Sequence, residues 1–390
     1  MNSDNKLIVL TFVGNYLPGY KAGGIVRTIV NTVDHLCSEF EFRIVTRDRD
    51  LGDDRPYAGI KQRQWQQVGN AMVNYLPPQS CTRKEIFNLM ARTPHQVFWL
   101  NSFFDPLTIK VLLNIRLGAL PYEPVIVAPR GEFAWASLKQ KYPKKFVFIQ
   151  VARLLGLYRK VTWHASSEPE ALDIIKVMKI PRNAIRVMDD FPIKVIPEGA
   201  PDLTVQSPHN CESLKVVFLS RIAREKNLDY AVRVLSKVNA KVVFDIYGPA
   251  PDATYWKECQ NLIARLPANV TVNYLGSVSP DQVVHIFSRY DLFLFPTGGE
   301  AYGHVIAECL TAGTPVLTST DTGWRNLQAD GLGWDIDLAH ENSFVAVIEN
   351  MAVMSADKRL EKRSIVKAKV MERLLNPAVL DAHRQLFTSH

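Results

Sequence analysis

The sequence predicts an α/β protein built from two parallel-sheet domains. Three observations carry that expectation. Apolar runs of strand length alternate with longer segments of helical period along nearly the whole chain. At 390 residues the chain is too long for one ordinary core, so two domains are the default. Between them, Pro192, Pro197, Gly199, Pro201 and Pro208 punctuate a segment without helical periodicity. The expected boundaries are a first domain over 1–191, a linker over 192–213 and a second domain over 214–376.

Lys6 to Val13 is a buried first strand by its apolar run. After a turn through Gly14 to Gly19, Gly23-Gly24 precede a helix whose apolar positions are Ile25, Ile29, Val33 and Leu36. A glycine pair at a helix start lets backbone N–H groups approach an anion closely, and a tight strand–helix turn is the plainer alternative. Arg47 to Gln64 is polar and turn-rich, a long exposed loop on this evidence. A strand follows near Met72 to Leu76, a helix near Arg83 to Met90, a strand from Val97 to Leu100 and a helix from about Pro106 to Leu117. The next strand, Val125 to Val127, ends in Ala128-Pro129-Arg130-Gly131-Glu132-Phe133. Arg130 there is suited to a phosphate or carboxylate, an exposed loop arginine being the alternative. An amphipathic helix is expected from near Pro143, with Phe146, Val147, Ile149, Val151, Leu154 and Leu155 apolar and Lys and Arg around them. Val161 to Ala165 form a strand, and Ser166-Ser167-Glu168-Pro169-Glu170 cap the next helix with proline in its first turn.

The second run opens with a strand from Leu214 to Leu219. Arg221 and Lys226 follow at its carboxyl end and at the entrance of a helix bearing Leu228, Ala231, Val232 and Leu235. Two cations there can neutralise a diphosphate leaving group, while a lone pair of basic loop residues is ordinarily solvated surface. Val242 to Ile246, Thr254 to Leu266, Val270 to Leu275 and Asp281 to Arg289 continue as strand, helix, strand and helix. Asp291 to Trp324 then forms a strand–loop–helix–strand unit. Leu292 to Phe295 are continuously apolar; Pro296, Gly298 and Gly299 break the strand; Val305, Ile306, Cys309 and Leu310 recur at helical spacing; Gly313 and Pro315 stop the helix. Gly331 to Asp337 is a turn-rich piece, with helices to the end.

The loop of that unit falls at the carboxyl edge of its sheet, where parallel sheets bind ligands. Glu300 is placed at the mouth of the helix and Glu308 eight residues on, within about 80° of the same azimuth at 3.6 residues per turn. Between them Tyr302, Gly303 and His304 offer backbone N–H groups at a positive helix terminus, which suits a diphosphate. A carboxylate beyond the phosphates suits the vicinal hydroxyls of a ribose. The simpler account makes Glu300 an N-terminal helix charge and Glu308 a solvated residue.

Composition narrows the class. With 47% hydrophobic and 22% charged residues the chain is globular. Leu7 to Val13 is far too short to span a membrane and no other run approaches that length, so a cytoplasmic protein is expected. The cysteines 37, 81, 211, 259 and 309 are scattered with no CxxC pair, which predicts reduced core thiols without metal. The net charge of +7 is uneven: residues 1–195 hold 27 Lys and Arg against 17 Asp and Glu. Eight of those bases lie between Arg130 and Lys160, beside the single acid Glu132, which suggests an anionic partner such as lipid, a phosphorylated acceptor or nucleic acid.

Glu300-Ala301-Tyr302-Gly303-His304-Val305-Ile306-Ala307-Glu308, followed by Ala312-Gly313-Thr314-Pro315-Val316, closely resembles the Glu-x7-Glu signature of family 4 glycosyltransferases. Arg221 and Lys226 match that family's Arg-x4-Lys element, Gly23-Gly24 its glycine pair and Glu170 its Ala-x-Ser-x-x-Glu segment. Arg130-Gly131 stands where many members carry His-Gly, replacing a titratable group by a permanent cation. Asp321 to Arg325 resembles a Thr-x-Trp-Arg subset found among envelope polysaccharide enzymes. The resemblance is strong over 214–335 and weak over 40–125.

It implies a GT-B fold, two Rossmann-like domains facing across a cleft, with residues 377–390 crossing back to the first. It implies a retaining, metal-independent transfer from a nucleoside diphosphate sugar to a glycan or lipid-linked acceptor, in assembly of a bacterial envelope polysaccharide such as O-antigen or capsule. Glu300, Arg221 and Lys226 take the catalytic roles. Gly23, Gly24, Tyr302, Gly303, His304 and Glu308 hold the donor, and Arg130 and Glu170 lie near acceptor or sugar. The loops 247–251 and 276–279 fall where the family holds the nucleobase. No cofactor or metal is expected. The local charge makes an anionic membrane surface a candidate partner of residues 139–160, at the cytoplasmic face of the inner membrane. A nucleotide-sugar 2-epimerase of the same fold and a basic nucleic-acid binder are the competing readings; the second lacks any RNA or DNA motif.

Overall fold

The computed structural model describes residues 6–118, 123–140, 142–194, 213–374 and 376–389. They fall into two compact units, one within Met1–Lys194 and Pro377–His390, the other within Val195–Asn376. Most of the segment expected as linker, 195–212, lies outside the described residues, as does Cys211.

The first unit runs β1 (Leu7–Phe12), α1 (Gly24–Leu36), β2 (Phe40–Arg47), β3 (Trp65–Val68), β4 (Ala71–Leu76), α2 (Arg83–Arg92), β5 (Val97–Asn101), α3 (Pro106–Arg116), β6 (Val125–Ala128), α4 (Trp135–Leu138), α5 (Tyr142–Leu154), β7 (Thr162–Ala165), α6 (Glu168–Met178) and β8 (Ile185–Val187). The sheet order is β3-β4-β2-β1-β5-β6-β7-β8. All pairings are parallel except β3 with β4.

Strand alternation divides the core between two faces. Leu10, Phe98, Leu100, Val125 and Val127 point to one, with Ile86 and Met90 of α2, Val111 of α3 and Ile174 of α6. Val9, Trp99 and Ile126 point to the other, with Ile29, Val33 and Leu36 of α1.

Three sequence expectations change here. Phe40–Arg47 is a strand that the expectation passed over, although Phe40, Phe42 and Ile44 alternate with Glu41 and Arg43. The loop expected to be exposed from Arg47 to Gln64 has a buried anchor: Asp48 is fully buried and Asp50 nearly so. Asp50 accepts from the backbone N–H groups of Tyr20 (2.9 Å) and Lys21 (3.2 Å). Helix α5 is not simply amphipathic: Ile149 and Ala152 are buried, whereas Phe146, Val147, Val151, Leu154 and Leu155 are exposed.

The second unit runs β9 (Leu214–Leu219), α7 (Leu228–Leu235), β10 (Val242–Tyr247), α8 (Ala253–Ile263), β11 (Val270–Gly276), α9 (Val283–Phe287), β12 (Leu292–Phe295), α10 (His304–Thr311), β13 (Val316–Ser319), β14 (Gly333–Ile336), α11 (Glu341–Ala352) and α12 (Ala356–Leu374). Its sheet is wholly parallel, in the order β11-β10-β9-β12-β13-β14. Strand β14 corrects the turn-rich reading of Gly331 to Asp337. Buried arginines fix the last helix to the sheet: Arg359 pairs with Asp291 at 3.2 Å, and Arg363 donates to the carbonyls of Tyr290 and Ser288 at 2.6 Å.

The chain ends in α13 (Pro377–Thr388), which belongs to the first unit. Phe387 is fully buried there against Phe40, Phe42 and Trp99. Among the described residues no helix is long and apolar enough to cross a membrane. Of the described cysteines, Cys259 and Cys309 are buried and Cys37 and Cys81 half-buried, all as free thiols.

Candidate functional site

The strand order of the second unit fixes where its site lies. From β9 the chain builds outward through β10 and β11, then returns to place β12 on the other side of β9. Loops leaving the carboxyl ends of β9 and β12 therefore diverge and leave a crevice between them. Arg221 and Lys226 lie on the first loop and Glu300 on the second. The structure brings Lys226 and Glu300 into a salt bridge with both side chains mostly buried. Lys226 Nζ also stands 5.9 Å from the centre of the Phe295 ring. Arg221 is more exposed and lies 3.6 Å from Glu225.

The two loops are stitched together by hydrogen bonds onto backbone carbonyls. Gly298 N–H donates to the Glu225 carbonyl at 2.7 Å, Thr297 Oγ1 to the same carbonyl at 3.1 Å, and Asn227 Nδ2 to the Pro296 carbonyl at 2.9 Å. Ser319 Oγ holds the Thr297 carbonyl at 2.5 Å. Sequence reasoning missed Glu225, Asn227, Thr297 and Ser319 as organisers of the site. Asn227, Thr297 and Ser319 act through side-chain donors, but onto backbone carbonyls, which no residue type at the receiving position announces.

Helix α10 begins at His304, so Glu300 stands four residues ahead of it, in the loop. The helical spacing expected between Glu300 and Glu308 therefore does not apply. Their proximity to one crevice has to come from the loop's path instead. Gly303 caps the helix in a left-handed conformation, φ 79° and ψ 58°, that a side chain rarely adopts. A Cβ there would also press on Ile306 at 3.2 Å. Its place is fixed by Trp324, whose indole N–H donates to the Tyr302 carbonyl at 2.7 Å. Arg373 lies over the same indole, its guanidinium carbon 4.5 Å from the ring centre. Tyr302, His304 and Glu308 are all buried, and Glu300 N–H donates to the Asp321 carbonyl at 3.2 Å. Glu308 is thus no solvated surface residue. The loops 247–251 and 276–279 meet through Gly248 N–H, which donates to the Gly276 carbonyl at 2.8 Å.

In the first unit the switch falls between β1 and β5. Gly23, at φ 69° and ψ −125°, sets the start of α1 with open space around it. Arg47 ties the loop after β1 to the one after β5, donating to the Gly14 carbonyl at 2.7 Å and pairing with Asp105 at 3.1 Å.

Arg130 is not the loop arginine free to meet a ligand that its sequence position suggests. Its guanidinium is buried, pairing with Asp190 at 2.7 Å and donating to Asn101 Oδ1 at 3.1 and 2.9 Å. Thr28 of α1 donates to the same Asp190 at 2.8 Å. Glu170 is also buried and receives N–H groups of Gly131 (2.6 Å) and Ser166 (2.8 Å). It therefore holds the Arg130-Gly131 turn rather than only capping its helix, for which Ser167 serves.

A second carboxylate of this region escaped sequence reasoning. Glu132 accepts from Ser102 Oγ at 2.7 Å and from the N–H groups of Phe103 and Phe104 at 2.5 and 3.3 Å. Burial of its carboxyl pushes its pKa up to about 7. Among the described residues no group of three or more His, Cys, Asp or Glu is assembled as a metal site.

Residues 201–365 match the family model of glycosyl transferases, group 1. That stretch carries Arg221, Lys226, Glu300, Gly303 and Glu308. An uncharacterized glycosyltransferase of Methanocaldococcus jannaschii is 25% identical over 139 residues, 31% of this chain and 34% of that protein. The chain thus spans about a third of that relative's length, and 24% and 21% of the next two. An uncharacterized 41.2 kDa protein in the cps region of Klebsiella pneumoniae is 22% identical over 265 residues, 66% of this chain and 69% of that one. Among solved structures, HepE of Anabaena in complex with UDP and glucose superposes with a TM-score of 0.68 at 14% identity, covering 97% of this chain and 98% of that one. WaaG, a glycosyltransferase involved in lipopolysaccharide biosynthesis, gives 0.65 at 15% identity over 98% and 100%. These likenesses establish the fold, two Rossmann-like parallel-sheet domains of GT-B type.

Proposed function

We propose that the protein is a retaining glycosyltransferase that moves a hexose from a nucleoside diphosphate sugar to a glycan or lipid-linked acceptor. The observation that carries this reading is the Lys226–Glu300 pair at the switch point of the second sheet, beside the amides that open α10. A diphosphate entering that crevice competes with Glu300 for Lys226 and gains the positive end of α10. Arg221 and Lys226 then neutralise the leaving diphosphate without a metal, Glu300 orients sugar hydroxyls and Glu308 the ribose. Tyr302, Gly303 and His304 complete the donor site of the second unit, and in the first unit the turn at Gly23 and Gly24 is the segment we assign to the donor phosphates.

Arg130 and Glu170 serve the acceptor side as positioning residues, since the carboxylate of Glu170 already holds the turn at Gly131 and the guanidinium of Arg130 is held by Asp190 and Asn101. The match to group 1 glycosyl transferases favours transfer over the 2-epimerase alternative. The relative from a cps region and the likeness to WaaG support a place in bacterial envelope polysaccharide assembly, O-antigen or capsule, in the cytoplasm at the inner membrane's inner face.

Thermal-shift binding with UDP-, GDP- and ADP-sugars tests the reading on the wild type, Glu308→Ala and Lys226→Ala. At a hundredfold Kd one donor should add about 2.7 kcal/mol to the wild type and little to either variant. Silence toward every sugar nucleotide, with a shift from nucleic acid instead, overturns it.

A further inference from the structure

Helix α5 carries apolar residues on two opposite faces. One face, Ile149 and Ala152, is buried against the first unit's core. The other is Val147, Val151 and Leu154, continued by Leu155 just past the helix end; at 100° per residue the four fall within an arc of about 100°. Their exposures are 60, 46, 86 and 59%. Beside them Trp135 is 67% exposed, and its ring continues through Tyr142 to Phe146 at centre separations of 5.8 and 5.7 Å. A soluble protein gains nothing by exposing such a contiguous apolar surface to water. Lys139, Lys144, Arg159 and Lys160 stand exposed on the same segment, whose single acid, Glu132, has its carboxylate turned inward onto Ser102, Phe103 and Phe104.

We infer that the outer face of α4 and α5 is an in-plane docking surface for an anionic lipid bilayer. The combination selects this occupant over a protein partner. Apolar side chains on one helical stripe enter the acyl boundary, an adjoining Trp-Tyr-Phe series matches the headgroup layer, and an exposed basic fringe meets lipid phosphates. Lys145 is excluded from the fringe, because it turns inward to the Ser137 carbonyl at 2.7 Å and over the Phe104 ring. The inference deepens the membrane placement proposed above, and it does not depend on the donor chemistry.

Co-sedimentation of the full chain with phosphatidylcholine vesicles, with and without phosphatidylglycerol, tests it. The variants are Val147→Ser/Val151→Ser/Leu154→Ser and Lys139→Glu/Lys144→Glu/Lys160→Glu, all at exposed positions. Wild type should partition at least tenfold more strongly onto phosphatidylglycerol vesicles than onto phosphatidylcholine alone. Each triple variant should lose at least tenfold of that partitioning while keeping its melting temperature and its nucleotide-sugar shift. No partitioning of the wild type, or partitioning untouched by the serine variant, overturns the proposal. So does a concentration-dependent dimer that the serine variant abolishes in the absence of vesicle binding, since the face would then meet a second copy. Wild type that partitions onto phosphatidylglycerol vesicles, and loses it in both variants, yet shows no donor shift would count against the transfer reading alone.

Discussion

Lys226 and Glu300 are 74 residues apart in the chain and in contact in the fold. Replacing Lys226 by alanine removes a cation from the proposed leaving-group site, and kcat/KM should fall by about 10²–10³, the usual effect of deleting one preorganised charge partner. Steady-state transfer assays at varied donor concentration check this; a change within threefold would count against a catalytic role. Arg130 behaves as a different kind of residue. Its substitution by alanine removes the buried counter-charge of Asp190, to which Thr28 still donates, at a cost of about 3–5 kcal/mol in urea unfolding. Arg130→Lys should recover only part of this, because an ammonium cannot reach Asp190 and Asn101 together with the same planar fork. A loss below about 1 kcal/mol for the alanine variant would mean that the network is not structural.

At the scale of elements, two helices depend on contacts remote in sequence. The start of α10 is held by the hydrogen bond from Trp324 to the Tyr302 carbonyl. Trp324→Phe deletes that bond and should cost about 0.5–1.5 kcal/mol of stability, together with weaker donor binding in the thermal-shift assay. Unchanged binding would separate Trp324 from the donor site. Helix α13 is fixed to the first sheet by Phe387, whose truncation to alanine should destabilise the first unit by about 3–5 kcal/mol, seen as an earlier calorimetric transition.

Elements also show how legible the fold was. Strands such as Val97–Asn101 and Leu292–Phe295 are buried on both faces and are visible as apolar runs. Strands β3 and β14 are not: Trp65–Val68 is half polar, and Gly333–Ile336 is embedded in turn-forming residues. Pairing with β4 and β13, rather than local preference, makes them strands.

Over the whole molecule, pH acts in opposite directions through buried groups of the first unit, among them Glu132 and His383. Glu132 rises from an ordinary 4.5 to about 7. Between those values the folded chain binds a proton that the unfolded chain releases, so this contribution is present below about 4.5 and lost as pH rises through 7. His383 is lowered from 6.5 to about 4 by burial, near His164, Asp190 and Arg130. Its contribution is present above 6.5 and lost as pH falls through 4. In the wild type the two partly cancel. Glu132→Gln removes the first and leaves the second, so its stability should climb more steeply between pH 4.5 and 7 than that of the wild type. The difference over the window is up to roughly 3 kcal/mol. Parallel profiles in chemical unfolding would show that Glu132 does not titrate there.

The sequence by itself determined the two-domain α/β class, most strands and helices, and the Arg221, Lys226, Glu300 and Glu308 positions. Those features are local: apolar runs, helical periods, glycine and proline stops, and a short motif of fixed spacing. Tertiary structure decided which of those residues meet and what they are free to do. It placed Glu300 in a loop ahead of its helix and joined it to Lys226, because strand order rather than sequence spacing sets the switch point. It also enclosed the guanidinium of Arg130 beside Asp190, since a charge taken from water must find its partner wherever the packing brings one. Finally, it turned half of α5's apolar residues outward, because one helix can present only one face to the core.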